Sequence, residues 1–182
     1  MAAALVPWHV RQNYHPECEA AVNNLVTLEL HASYVYSSMA RYFDREDVAL
    51  KPFSLFFLRQ SNTEREHVEK LLGLKSQRGN NPCLCNVSGP EEENWESSLS
   101  VFESALQLAQ RVHQSLLNLH QLATEKKEGR ICNLLEQGYL HQQVMFIQEL
   151  GDHITNLRKM AAPEDSLADS LSGKLTLGDG KN

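Results

Sequence analysis

The 182-residue sequence predicts an all-α protein, a bundle of four long helices. Apolar residues recur at alternating steps of three and four along four segments of about 28 residues each, which is typical of helices with one buried face. Two of the three connecting segments are short and one is long. Short links join antiparallel neighbours, whereas the long link can cross the bundle, so these lengths predict the order of the helices.

The first two apolar stripes form one hairpin. They cover residues 22–43 and 50–74, and only the segment DREDVA lies between them. A link of about six residues requires antiparallel neighbours. Pro16 and Pro52 lie in the expected first turns, where a residue without an N–H is tolerated.

The last two stripes form a second hairpin, over residues 99–116 and 132–157, joined by EKKEGR. Asn94 is a candidate N-cap for the third helix, and Gly129 is expected to separate the third helix from the fourth. Pro163 is expected to end the fourth helix.

The long link has the sequence RGNNPCLCNVSGPEEEN, at about residues 79–95. Seventeen extended residues span about 55 Å, and a helix of about 28 residues is about 42 Å long. The link can therefore bring the third helix in parallel to the second. We expect an N-terminal extension over residues 1–14, the bundle over 15–160, and a short fifth helix with a tail over 161–182.

Composition excludes several functional classes. A formal net charge of −6 and a pI of about 5.7 argue against a nucleic-acid partner and favour attraction of cations. No apolar run approaches the ~20 residues that span a bilayer, so no membrane partner is expected. Residues 1–10 lack the basic start and long apolar region of a signal peptide. The four scattered cysteines favour free thiols in a reducing compartment, and we expect a cytoplasmic protein.

Three ionisable residues interrupt the apolar stripes of the first hairpin. Glu29 lies on the first stripe, and Glu64 and His67 lie one turn apart on the second. Because the link is centred near residue 46.5, Glu29 should lie level with Glu64. Two buried carboxylates need a proton or a cation between them, and two carboxylates with one imidazole suit iron, manganese or zinc.

Each of these residue types can also have a purely structural role that involves no metal. A Glu-x-x-His pair alone is common on helices, and the sequence favours a metal site here because Glu29 and Tyr36 lie on the facing stripe. The Glu91–Glu93 run is expected to be a solvated loop. Four further histidines are expected to be solvated or structural: His113, His120, His141 and His153.

Long segments of the chain resemble the animal ferritin heavy chain. They include VRQNYH, EAAVNN, ASYVYSSMARYFDREDVALK, EREH, NWESSL, QSLLNLHQLATEK, QELGDHITNLRKM and KLTLGD, in that order. The resemblance implies a ferritin-like four-helix bundle with one long crossover and a short C-terminal fifth helix. It also implies a shell of twenty-four subunits that uses dioxygen to oxidise Fe(II) and stores the iron as ferric mineral.

The resemblance also assigns the catalytic residues. It places the first iron site at Glu29, Glu64 and His67. Tyr36 and Gln143 match nearby hydrogen-bonding residues, and Gln143 is either such a residue or a weak ligand. Glu64 would bridge to a second iron.

Three positions depart from the heavy-chain pattern around that second iron. Ala109 replaces a glutamate that the second iron needs, Thr63 replaces an auxiliary glutamate, and Gln142 replaces another usual acid. We therefore expect impaired ferroxidase activity.

Further residues are assigned by the resemblance alone. His120, Asn133 and Glu136 match an iron-entry pore on the threefold axis, where Asn133 replaces an aspartate. Glu66 and Glu69 match inner-surface acids that help to nucleate mineral, although both also fit an ordinary solvated face. Ser170 and Ser172 replace bulky apolar residues of the fifth helix.

Two functional hypotheses remain. The chain is either an iron-storage subunit with weakened ferroxidase chemistry, or a non-enzymatic structural subunit that co-assembles with active ferritin chains. A helical signalling bundle would require a secretory signal and two long crossovers, and the sequence shows neither.

Overall fold

The computed structural model describes residues 15–77 and 95–161, and these residues form four long helical rods without strands. The rods are α1 (Pro16–Asp44), α2 (Lys51–Gln77), α3 (Ser98–Glu125) and α4. The fourth rod consists of an α-helical segment Gly129–Leu134, a π-helical turn Leu135–Tyr139 and an α-helical segment Leu140–Met160. The rod is kinked at the π-helical turn, where Gln137 and Gly138 depart from helical backbone angles. The predicted all-α fold is confirmed.

The helix ends follow local chemistry. Pro16 is the first residue of α1, as predicted, and the His15 side chain accepts a hydrogen bond from the Glu17 N–H. The predicted cap of α3 is wrong, because Ser97 caps the helix and forms a reciprocal capping box with Ser100. Gly129 is the first residue of α4 and lies inside the rod that it was expected to precede.

Contacts at both ends of the bundle define its topology. Phe43 of α1 lies 5.8 Å from Phe102 of α3 between ring centroids, and Glu17 pairs with Lys126 at 2.9 Å near the opposite end. The third helix is therefore antiparallel to α1 and parallel to α2, as the long crossover predicts. Residues 1–14, 78–94 and 162–182 lie outside the described part. The extension, nearly all of the crossover and the fifth helix therefore remain predictions.

The core lies between the two hairpins. Rings from all four helices pack there, including Tyr36, Phe57, Phe102 and Phe146. This apolar packing excludes water around the ionisable residues of the first hairpin. None of the helices described here has the length and apolar character needed to cross a membrane.

Candidate metal centre

Three of the predicted ligands converge in the first hairpin. Glu29 of α1 meets Glu64 and His67 of α2, and one ligand atom from each side chain lies within 4.8 Å of the other two. Glu29 and Glu64 are fully buried, and His67 is 3% exposed. The spacing of three between Glu64 and His67 places both side chains on the same face of α2. The described residues contain no second group of this kind.

Burial controls the charge of this cluster. It raises the pKa of Glu29 to about 8 and, together with the Glu29 charge, raises that of Glu64 to about 8. Burial also lowers the pKa of His67. At neutral pH the metal-free site therefore favours protonated carboxyls and a neutral imidazole. A bound cation would displace those protons.

The carboxyl groups are only partly satisfied by the protein. Gln60 Nε2 donates to Glu64 Oε2 at 2.8 Å, and His67 Nδ1 lies 3.4 Å from Glu29 Oε2. Oε1 of Glu29 and Oε1 of Glu64 are buried and accept no N–H or hydroxyl hydrogen bond among the described residues. When one carboxyl is protonated, it can donate to the other. Buried acceptors of this kind need an explanation, and a cation supplies one. Two carboxylates and one imidazole suit a divalent transition metal.

Residues of α4 hold the outer side of His67. Gln142 Oε1 lies 2.9 Å from His67 Nε2. The Tyr139 ring stacks on the imidazole at 3.5 Å between centroids, and its hydroxyl donates to the His67 backbone oxygen at 2.8 Å. Tyr139 follows Gly138, whose φ of 127° lies in a region that favours glycine.

Tyr36 and Gln143, expected to hydrogen-bond near the first iron, both lie in the core. The Tyr36 hydroxyl has no hydrogen-bond partner among the described residues, and its ring packs against Phe57 and Phe146. Gln143 Nε2 donates to the Ala109 backbone oxygen at 3.0 Å. Gln143 Oε1 is buried and also lacks a partner in the described part of the chain.

The positions of the missing acids offer no replacement ligand. The Ala109 methyl group is fully buried and cannot bind a cation. Thr63 Oγ1 donates to the Arg59 backbone oxygen at 3.0 Å. Gln142 is engaged with His67.

The residues assigned to a pore and to mineral nucleation are not among the converging ligands. His120 Nε2 and Glu136 Oε2 are 2.6 Å apart, so the two side chains pair within one subunit. Asn133 is exposed one turn before Glu136. Glu66 and Glu69 are exposed on α2, as a solvated face requires.

Sequence reasoning missed several residues that shape the site. Gln60 lies on the apolar stripe of α2, and a polar residue at such a position already indicates a buried hydrogen bond. Ser33 of α1 and Ser61 of α2 each donate a hydrogen bond to the backbone oxygen of the other. The sequence gives no sign of this pair, because serine is common on either face of a helix. The role of Tyr139 depends on the π-helical turn, which apolar periodicity does not reveal.

Comparison with known protein families agrees with the geometry. The family model described as the ferritin-like domain matches residues 19–160. The match covers over three quarters of the chain and includes Glu29, Glu64 and His67. The chain therefore belongs to the ferritin-like domain family, whose general role is iron storage.

Proposed function

We propose that this chain is a subunit of a 24-subunit ferritin shell, assembled from identical or mixed chains in the cytoplasm. It binds Fe(II) through Glu29, Glu64 and His67 and contributes to oxidising iron with dioxygen and storing it as ferric mineral. The observation that carries the proposal is the convergence of three buried ligand atoms within 4.8 Å. Its ferroxidase step is impaired.

Charge balance favours one Fe(II) in each subunit. Ionised Glu29 and Glu64 supply two negative charges, which neutralise one divalent cation in the dry interior. A second Fe(II) would leave two uncompensated positive charges, and isolated buried charge costs several kcal/mol. Ala109, Thr63 and Gln142 contribute no acid to offset this cost.

This stoichiometry limits the chemistry. Two-metal sites hold their ions about 3.5–4 Å apart, and rapid two-electron reduction of dioxygen would draw one electron from each Fe(II). One Fe(II) supplies a single electron. His67 and the two carboxylates can hold the ion, but the chain lacks the glutamate that would hold its neighbour. We therefore expect slow oxidation.

Anaerobic titration tests the proposal. The purified full-length protein should bind one Fe(II) per subunit at this site, and the Glu64→Gln variant should lose that binding. Ala109→Glu restores a carboxylate and should raise the stoichiometry to two and increase the rate of oxidation. Two ions bound by the parent, with rapid oxidation, would refute the impaired-site proposal. No saturable binding would refute the metal site.

The buried methyl group of Ala109 also favours the second hypothesis, a structural subunit that co-assembles with active chains. Iron uptake distinguishes the two. Shells made only of this chain should take up iron slowly if the site oxidises it. If the chain is solely structural, uptake should match that of a Glu29→Gln/Glu64→Gln shell and recover only with active chains.

A further inference from the structure

We propose that Gln142 and Tyr139 are positioning residues that hold His67 with its Nδ1 lone pair directed at the bound cation. The inference rests on the proposed iron site and assigns a role to two residues outside its three ligands. His67 projects from α2, whereas both residues that hold it come from α4.

Gln142 determines which ring nitrogen carries the proton. Its Oε1 lies 2.9 Å from His67 Nε2, and an amide oxygen only accepts hydrogen bonds. Nε2 must therefore carry a hydrogen. In the neutral imidazole, Nδ1 then has a free lone pair, and Nδ1 is the atom that faces Glu29 Oε2 at 3.4 Å. The hydrogen bond from Nε2 to Gln142 thus leaves Nδ1 unprotonated and able to bind a cation.

Tyr139 fixes the ring plane. Its ring lies 3.5 Å from the imidazole between centroids, with an interplanar angle of 24°, and its hydroxyl donates to the His67 backbone oxygen at 2.8 Å. The stacked ring restrains rotation of the imidazole, and the hydrogen bond ties α4 to the same turn of α2. Tyr139 is 3% exposed, so this contact lies in the interior.

Both residues line a recess of about 130 Å³ that also contacts Glu66 and Lys70. His67 therefore stands between the recess and the two buried carboxyls. If the Gln142 contact is lost, the ring can also adopt the other tautomer, in which Nδ1–H donates to an oxygen of Glu29. In that tautomer Nδ1 has no lone pair for a cation.

The neutral amide should also make His67 a weaker ligand than a carboxylate partner would. A carboxylate hydrogen-bonded to a ligating imidazole raises its basicity. The Gln142→Glu variant should therefore preserve the tautomer and bind the cation more tightly. Gln142→Leu removes the acceptor and should weaken binding about tenfold, the lower end for loss of an outer partner.

The tautomer can be measured without metal. Solid-state ¹⁵N NMR of the sedimented, histidine-labelled full-length protein distinguishes protonated from unprotonated ring nitrogens, and the difference spectrum against His67→Gln identifies His67. We expect a proton on Nε2 in the parent and in Gln142→Glu, and mixed tautomers in Gln142→Leu. A proton on Nδ1 in the parent, or an unchanged tautomer in Gln142→Leu, would overturn the role of Gln142.

Anaerobic Co(II) titration, followed by visible absorption, provides the second measurement. Gln142→Leu should bind about tenfold more weakly than the parent, whereas Gln148→Leu, a matched change at an exposed position of α4, should bind like the parent. Tyr139→Leu should weaken Co(II) binding and alter the absorption spectrum of the bound ion. Tyr139→Phe keeps the stacked ring and should therefore have an affinity and a spectrum close to those of the parent. A Phe variant as impaired as the Leu variant would refute the role of stacking.

The two measurements separate the inference from the proposed function. A parent that binds no Co(II) or Fe(II) contradicts the iron site, while the NMR experiment still decides whether Gln142 controls the tautomer. A parent that binds Co(II) while Gln142→Leu binds equally well supports the site and refutes the inference. Because the Gln142 side chain is exposed, its replacement should leave the fold intact, and thermal unfolding checks this.

Discussion

At the scale of single residues, Glu29 and Glu64 control how the metal-free protein responds to pH. Their pKa values are raised to about 8 by burial from an ordinary 4.5. The folded state therefore keeps protons that the unfolded chain releases between about pH 4.5 and 8. The stabilisation from these two groups is complete below pH 4.5 and is lost as the pH rises through 8.

We expect the metal-free protein to have a lower midpoint of thermal unfolding at pH 9 than at pH 6. The midpoint should fall by several degrees, since each kcal/mol of stability lost lowers it by roughly 2–4 °C in a chain of this size. The Glu29→Gln/Glu64→Gln variant has neither titrating carboxyl, so its unfolding midpoint should depend less on pH between 6 and 9. Calorimetry in the presence of a chelator measures the effect, and equal slopes for parent and variant would contradict the assignment.

Tyr36 provides a second prediction at this scale. Its buried hydroxyl has no hydrogen-bond partner among the described residues, and leaving such a group unpaired costs about 1–3 kcal/mol. Tyr36→Phe keeps the ring between Phe57 and Phe146 and should stabilise the metal-free protein by about 1 kcal/mol. Tyr42→Phe, at the edge of the core, is the control. Denaturant unfolding gives the comparison, and destabilisation by Tyr36→Phe would show that the hydroxyl is satisfied in solution.

The residues that sequence reasoning found have a common physical basis. Glu29, Glu64 and His67 interrupt apolar stripes, and the register of the hairpin places them at one height. The sequence alone therefore indicates both that these residues are unusual and that they lie close together. Gln142 lies on the exposed side of α4. Its contact with His67 depends on side-chain direction across two helices, which spacing within one helix does not specify.

At the scale of secondary-structure elements, a pair of serines fastens α1 to α2 beside the candidate metal site. Ser33 Oγ donates to the Ser61 backbone oxygen at 3.0 Å, and Ser61 Oγ donates to that of Ser33 at 2.8 Å. Ser33 lies one turn after Glu29, and Ser61 lies nearly one turn before Glu64. The reciprocal bonds therefore hold the backbones of the two carboxylate-bearing turns together.

Ser33→Ala should destabilise the protein by about 1–2 kcal/mol, because it removes one buried hydrogen bond and the acceptor of Arg65 Nε. Ser37→Ala on the same helix removes only an exposed contact with Arg41 and should change stability much less. Denaturant unfolding compares them. Equal effects of the two substitutions would mean that the serine pair does not fasten the hairpin.

Sequence periodicity predicted the four rods and their order but not the interruption of α4. The π-helical turn Leu135–Tyr139 includes Gly138 with a φ of 127°. A single glycine in a helical stretch is consistent with an unbroken helix as well as with a kink. Only the three-dimensional structure shows that this turn places the Tyr139 ring against His67. The cap at Ser97 was missed for a related reason, since several neighbouring polar residues qualify as caps.

At the scale of the whole molecule, the net charge of −6 favours the approach of cations. The distribution of that charge matters more than its sum. If the chain forms the proposed shell with the pore that its resemblance to heavy chains implies, Asn133 would lie at a threefold pore, next to the His120–Glu136 pair. The pore of a homopolymer would then lack three carboxylates that the heavy-chain pattern supplies, and it would attract Fe(II) less strongly.

Asn133→Asp should accelerate Fe(II) entry into shells made of this chain. The added carboxylate lies one turn from Glu136, and three copies around the axis concentrate the field where the ion enters. We expect roughly a tenfold increase at low ionic strength, the lower end of electrostatic steering, which shrinks as salt shortens the screening length to about 10 Å at 0.1 M. Asn156→Asp adds the same charge on an exposed part of α4 outside the proposed pore and should have little effect.

Stopped-flow chelation of Fe(II) by a probe sealed inside the shell measures entry independently of oxidation. Equal acceleration by both variants would assign the effect to total charge, and no acceleration would remove Asn133 from the entry route.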